Sequence, residues 1–392
     1  MSITAPGKVI LFGEHVVVYG CPALAAAIDS CSTLTFHQYS QKFYNDLLFK
    51  INFQDFTDES FVILHSDLIK DIPFGKQDAD VRAYFLSHSE KLLIERNMPR
   101  SLIKSVAVIF FSLFLTRKMK KMGNLGHPYE VTFTSTLPIN AGLGSSGAFC
   151  SIVAAFFLYL SGEIVESVLS NSDHLRIRSF AHELEKFMHN SPSGIDTAIS
   201  VSGGLLKFQR FDNKYTLREI NVLNPDYLPN LIVINTNSPR STAAVVESVR
   251  VFRQQHSDVF DQVFESIKSI CEEGSELLSS PLGKTSLGHL SSLFSSNHKE
   301  LSQLGVSNEV LEEIVRRMEL LGFGAKLTGA GRGGCVIAIP SRELNIKDSV
   351  KEVRNALKDL DVTVFETTLC APGIKLKLDT NFSHTFTQYS CR

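Results

Sequence analysis

Between Pro128 and Leu160 the chain passes from an alternating segment, PYEVTFTSTLP, through PINAGLGSSG, into the apolar run AFCSIVAAFFLYL. Few folds admit that succession. Tyr129, Val131 and Phe133 fall on one face of an extended segment, which predicts a half-buried strand of an antiparallel sheet. The apolar run is shorter than the roughly 18 residues a membrane span needs. It predicts a buried helix that starts about residue 146. A strand and a helix therefore meet at a loop of glycine and serine. Glycine reaches positive φ and lets backbone approach a ligand. A helix start offers free N–H groups and the positive end of its dipole. The pattern suits an anion, above all a phosphate, with Ser145 and Ser146 adding hydroxyls, one of them for Mg2+. It also reads as a serine N-cap beside a flexible turn.

The chain has 392 residues, too many for one ordinary core, which predicts two domains, 1–225 and 226–392, divided near the prolines of NVLNPDYLPN. The net charge of −2 supplies no basic field for nucleic acid or an anionic membrane. The seven cysteines are scattered without C-x-x-C spacing, which argues against a zinc knuckle or a disulfide framework. A reducing compartment and a cytoplasmic location are expected. The opening residues lack a signal-peptide pattern, because Gly13, Glu14 and His15 interrupt the apolar run.

KVILFGEHVVVYG (8–20) reads as two short strands about a turn at Gly13. A strand is expected near LLFKINF, helix over 81–121 and 175–190, and a turn, short helix and strand over 191–208. Further helices are expected around 241–278, 286–321 and 346–359, with β-segments at 325–340 and 362–369. The fold class is α+β.

GLGSSG and GAGRGG (329–334) both satisfy G-x-G-x-x-G. The dinucleotide fingerprint requires a fully buried first strand of a βαβ unit before it; the alternating strand here disfavours that reading. GKT at 283–285 has Leu278 where a P-loop needs its first glycine. In EKFMHNSPSGID (185–196), Glu185 ends a helix and Asp196 follows a turn. A carboxylate beside a phosphate loop can hold Mg2+, and a second can take the proton of an attacking hydroxyl. The same residues also read as a solvated helix position and an N-cap. In APGKVILFGEH (5–15), Lys8 lies in an apolar strand. An unpaired ammonium is costly there, so a carboxylate or phosphate partner is expected, unless the side chain snorkels from a surface hairpin.

Taken together, PGKVILFGEHVVVYG, PINAGLGSSGA and KLTGAGRGGC occur in the order and spacing of three motifs of the galactokinase, homoserine kinase, mevalonate kinase and phosphomevalonate kinase superfamily. PSGIDTAISVSGG (192–204) and NTNSPRSTAAVV (235–246) resemble the mevalonate kinases in particular. The resemblance spans roughly residues 4–374 and is weak over 36–127. It implies a two-domain α+β fold with the active site in the interdomain cleft. It also implies ATP-dependent phosphorylation of (R)-mevalonate to 5-phosphomevalonate, with ATP and Mg2+ as cofactors, on the route to isoprenoids and sterols. Carried over by motif, Asn140, Ala141, Gly142, Leu143, Gly144, Ser145 and Ser146 wrap the ATP phosphates. Ser146 and Glu185 hold Mg2+. Asp196 is the catalytic base, and Lys8 orients it and meets the transferring group. Glu14, His15 and Thr242 fall at substrate positions, Asn52 and Ser135 at nucleotide positions. A homodimer and a prenyl diphosphate inhibitor competing with ATP are implied as well.

Three positions depart from the pattern. Arg332 stands where relatives carry glycine; at positive φ it costs about 1–2 kcal/mol, and its charge can instead reach a phosphate. Asn140 and Phe149 replace a glycine and a tyrosine of some relatives. A kinase of a phosphorylated substrate calls for more basic residues than Arg240 and Arg332. A non-catalytic sensor on the same fold calls for loss of Lys8, Ser146, Glu185 or Asp196, and all four are present.

Overall fold

The computed structural model describes residues 1–39, 46–68, 78–118, 127–138, 141–189, 192–211, 214–223, 228–238, 242–342 and 346–378. Seven strands open the chain: β1 (Ser2–Phe12), β2 (Ala23–Gln38), β3 (Leu47–Phe53), β4 (Ser60–Leu64), β5 (Tyr129–Ser135), β6 (Leu205–Phe211) and β7 (Lys214–Glu219). Between them lie the helices α1 (Asp78–Glu95), α2 (Ile103–Lys118), α3 (Ser145–Leu160), α4 (Asn171–Met188) and α5 (Ile195–Ser202). There follow β8 (Leu231–Asn235), α6 (Thr242–Gln255), α7 (Ser257–Ser279), α8 (Lys284–Gln303), α9 (Glu309–Leu320), β9 (Phe323–Thr328), β10 (Cys335–Pro340), α10 (Ile346–Ala356) and β11 (Thr363–Thr367). The last strand is β12 (Lys375–Lys377).

The strands form two sheets. The first has eight strands in the order β12-β1-β2-β5-β3-β4, with β6 on β2 and β7 on β6. The second has four, in the order β11-β8-β10-β9. The long strand β2 organises the first sheet: its start pairs with β6 and its end with β5. Register sets Phe133 opposite Leu34 and Val131 opposite Phe36. These side chains and Tyr129 are buried, as the alternation requires. They face α3, where the Phe36 and Phe156 rings lie edge to face at 4.9 Å. The helix α3 is buried on nearly every side because the sheet, α2, α4 and α5 surround it.

Three sequence expectations change. Val16–Tyr19 is a 3-10 turn rather than a strand, framed by positive φ at Gly13, His15 and Gly20. The helical tract 81–121 is two helices, broken before Pro99, which begins a short 3-10 turn over Arg100–Leu102. The tracts 241–278 and 286–321 also divide, the second where Asn308 caps α9 through Leu311 N–H at 2.9 Å.

The two sheets join through β1 and β9. Thr328 Oγ1 accepts from Ile10 N at 3.1 Å and donates to Ile10 O at 3.0 Å. Phe12 packs edge to face on Phe294 of α8, 5.6 Å between centroids.

Candidate active site

The centre of the site is where two helix N-termini converge on β1. Lys8 N donates to Leu143 O at 2.8 Å, which lays the glycine-serine loop along the strand. Gly144 then takes φ 78° and becomes the N-cap of α3, without a side-chain capping bond. A Cβ there would stand 2.7 Å from Lys8 Cγ, so both the conformation and the contact need glycine. Helix α5 begins the same way, at Gly194 with φ 78°, and carries Asp196 in its first turn. Ser200 of α5 donates to Pro6 O at 2.9 Å and ties that helix to β1. The reading of the loop as a serine N-cap gives way here: the cap is Gly144, and the two serines open the helix.

Lys8 Nζ lies 3.1 Å from Asp196 Oδ1, with side-chain exposures of 7% and 23%. The strand lysine thus has a carboxylate partner, and the pair sits beneath the first turn of α3. A carboxylate in the first turn of a helix is also favoured by the dipole.

The last turn of α4 adds two groups. Glu185 is buried, and its carboxyl is pushed up to about 8, first by burial and then by the charge of Asp196, with Lys8 opposing. Its Oε2 is buried and has no hydrogen-bond partner among the described residues. His182 Nδ1 is 4.0 Å from it, too far for a hydrogen bond. An orphaned carboxylate oxygen beside a second carboxylate fits a divalent cation. Mg2+ takes one or two protein oxygens and completes its shell with phosphate and water. One turn beyond Glu185, His189 Nε2 lies 3.0 Å from Ser146 Oγ. His189 is exposed as a residue, while desolvation of its ring holds it below the usual histidine range. Sequence reasoning did not single out His189; its position four residues after Glu185, on the same helical face, was the available signal.

On the other side of β1, the Glu14–His15 turn is held by β9. Glu14 Oε1 and Lys326 Nζ form an ion pair with both side chains fully buried. Burial pushes the Glu14 carboxyl up and the Lys326 ammonium down, each offset by the other's charge. Glu14 therefore has no surface open to a ligand in this conformation. His15 is only partly buried, with Nε2 2.9 Å from Ala330 O. Arg332 takes φ 51°, the left-handed conformation for which glycine is favoured. Its Nε donates to Gly305 O at 3.1 Å, which lays the side chain on the turn between α8 and α9.

The remaining sequence candidates are placed as follows or fall outside the described residues. Asn52 Nδ2 donates to Glu130 Oε1 at 3.0 Å and Thr132 Oγ1 at 3.1 Å, while its Oδ1 accepts from Ser60 at 2.6 Å. Ser135 Oγ is 3.1 Å from Ser32 Oγ. Thr242 is exposed at the start of α6. Ala141 and Leu143 are buried beside Gly142, which has φ 80°. Asn140, Arg240 and the boundary at 225 fall outside the described residues. Among the described residues, no helix is long and apolar enough to cross a membrane.

Comparison with known proteins identifies relatives in sequence and fold. Residues 103–204 match the GHMP kinases N terminal domain, and residues 282–360 match GHMP kinases C terminal. Mevalonate kinase of Mus musculus is 30% identical over 391 residues, covering 95% of this chain and 94% of that protein. Mevalonate kinase of Dictyostelium discoideum is 30% identical over 396 residues, covering 96% and 97%. Among solved structures, Methanococcus jannaschii mevalonate kinase superposes with TM-score 0.67 at 24% identity, covering 95% of this chain and 98% of that one. Lactococcus lactis galactokinase complexed with galactose gives 0.61 at 17% identity, covering 96% and 95%. The fold and the paired helix N-termini define a small-molecule kinase of the GHMP type, two domains of mixed helix and sheet. Within that class the chain belongs to the mevalonate kinase family. Enzymes of this family are phosphotransferases that use ATP with Mg2+.

Proposed function

We propose that this chain transfers the γ-phosphoryl group of ATP to the primary alcohol of (R)-mevalonate, giving 5-phosphomevalonate and ADP. The observation that carries the reading is the Lys8–Asp196 pair, 3.1 Å apart, beneath the N-terminus of α3. Phosphoryl transfer asks a protein for positioning and charge neutralisation more than for covalent chemistry. The open first turn of α3 and the loop 141–146 offer backbone donors to phosphate oxygens. Asn140 belongs to the same proposed loop. Asp196 accepts the alcohol proton. Lys8 fixes the Asp196 carboxylate and meets charge that develops on the transferring group. Ser146 and Glu185 would hold Mg2+, which supplies charge neutralisation at the phosphates.

His15 and Thr242 are the proposed substrate contacts, and Glu14 supports them by holding the turn that presents His15. Asn52 and Ser135 are the proposed nucleotide contacts on the sheet. We place the reaction in a cleft between domains 1–225 and 226–392 of a cytoplasmic homodimer, with prenyl diphosphates competing for the ATP site. Leishmania major mevalonate kinase, which superposes with TM-score 0.64, was solved in complex with R-mevalonate.

The test is ADP release from Mg2+-ATP with (R)-mevalonate, 5-phosphomevalonate, galactose or homoserine, on the wild type and Asp196→Asn. Turnover with mevalonate alone, lost in the variant, supports the reading. Turnover with another acceptor in its place identifies a related kinase. ATP binding without turnover on any acceptor identifies a sensor.

A further inference from the structure

We propose that His189 is a positioning residue for the divalent cation: its Nε2 accepts the Ser146 hydroxyl proton and turns the Ser146 oxygen lone pairs toward the cation beside Glu185. The inference rests on the proposed role of Ser146 as a metal ligand.

A serine hydroxyl has one proton and two acceptor lone pairs. An oxygen that ligates a cation must present a lone pair to it, so its hydrogen needs an acceptor elsewhere. His189 Nε2, 3.0 Å from Ser146 Oγ, is in position to be that acceptor. The placement is built into the end of α4. His189 N donates to Glu185 O at 2.9 Å, so the residue that ends the helix is bonded to the residue carrying the proposed carboxylate ligand. Lys104 Nζ donates to Met188 O at 2.8 Å and holds the same helix end against α2. One helix terminus thus delivers a ligand and the group that aims a second ligand from α3. In the neutral tautomer with the proton on Nδ1, the Nε2 lone pair is free for Ser146. Groups of this kind, behind a metal ligand, fix its orientation, and their loss costs about 10- to 100-fold in metal affinity.

The experiment measures Mn2+ binding to the full chain with ADP by electron paramagnetic resonance, without turnover. His189→Leu, Ser146→Ala and their double variant are compared with the wild type, and His189→Gln tests whether a side chain that keeps an acceptor restores binding. The expected result is about 10- to 100-fold weaker Mn2+ binding in His189→Leu, substantial recovery in His189→Gln, unchanged metal-free ADP binding, and no further loss when His189→Leu is added to Ser146→Ala. If Ser146→Ala binds Mn2+ as the wild type does, the reading of Ser146 as a ligand fails and this inference with it. If Ser146→Ala is weakened while His189→Leu is not, the inference alone is overturned. Equal losses from His189→Leu with and without Ser146 also overturn it. Should His189→Leu not fold, His189→Phe, a ring without an acceptor, is read by the same criteria.

Discussion

Gly147 and Asp196 touch where α3 crosses α5: a Cβ at Gly147 would stand 2.7 Å from Asp196 Cβ and 2.8 Å from its carbonyl carbon. The contact leaves no room for a methyl group. On an open helix, Gly→Ala is favourable by about 1 kcal/mol. Here Gly147→Ala must push α5 away from α3 and carry Asp196 off Lys8. The expected outcome is a fall in kcat of tenfold or more at a melting temperature that changes by only a few degrees. Thermal unfolding and ADP release on the same sample check it. Unaltered kcat would separate the helix contact from the chemistry.

Asp196→Asn keeps the size of the side chain but removes the proposed proton acceptor. Loss of a general base typically lowers the rate by about 10²–10⁴. Lys8→Met removes the charge that meets the transferring group, with an expected loss of about 10²–10³ in kcat. ATP binding, followed by fluorescence of a nucleotide analogue, should survive Asp196→Asn. A variant at Asp196 with wild-type turnover would exclude it as the base.

Breaking the buried Glu14–Lys326 pair from one side is expected to be costly. Lys326→Met leaves a carboxylate without its counter-charge, and such losses run about 3–5 kcal/mol. Adding Glu14→Gln should recover part of that stability, because the remaining group is neutral. Urea unfolding of the wild type and these two variants measures both effects. A single variant as stable as the double variant would mean that Glu14 takes up a proton once Lys326 is removed.

In the metal-free protein, Glu185 gives the stability curve a definite sign. Its folded-state pKa is about 8, against about 4.5 for an unperturbed glutamate in the unfolded chain. Between those values the unfolded chain binds fewer protons than the native one, so stability falls as pH rises. The contribution is fully present below the lower value and lost on passing through the upper one. At about 1.4 kcal/mol per unit, the span amounts to a few kcal/mol. Glu185→Gln should flatten that part of the urea-midpoint profile. Parallel profiles would mean that Glu185 titrates alike in both states.

The central constellation could be read from the chain because each part has a local signature. Alternation at Tyr129, Val131 and Phe133 marks β5, and the glycines mark where backbone must turn sharply. Lys8 in an apolar strand asks for a partner by its cost alone. The partner of Glu14 was hidden by distance. Lys326 lies 312 residues from Glu14, and no local pattern announces a fully buried ammonium. His189 was passed over because a histidine at a helix end is ordinary until the loop that it meets is in place. The misread 3-10 turn at Val16–Tyr19 has the same cause: three valines favour a strand, and only the reversals at Gly13, His15 and Gly20 exclude one.

The first strand is completed by the last. β1 pairs with β12 at Ser2–Lys377, Ile3–Leu376 and Thr4–Lys375, and its other end is bonded to Thr328. Lys8 lies on β1, and the edge of β1 that β12 covers is closed only by Lys375–Lys377, far along the chain. Until β12 docks, that side of β1 is an open pairing edge. The strand that carries Lys8 is thus finished by a long-range pairing rather than by local structure.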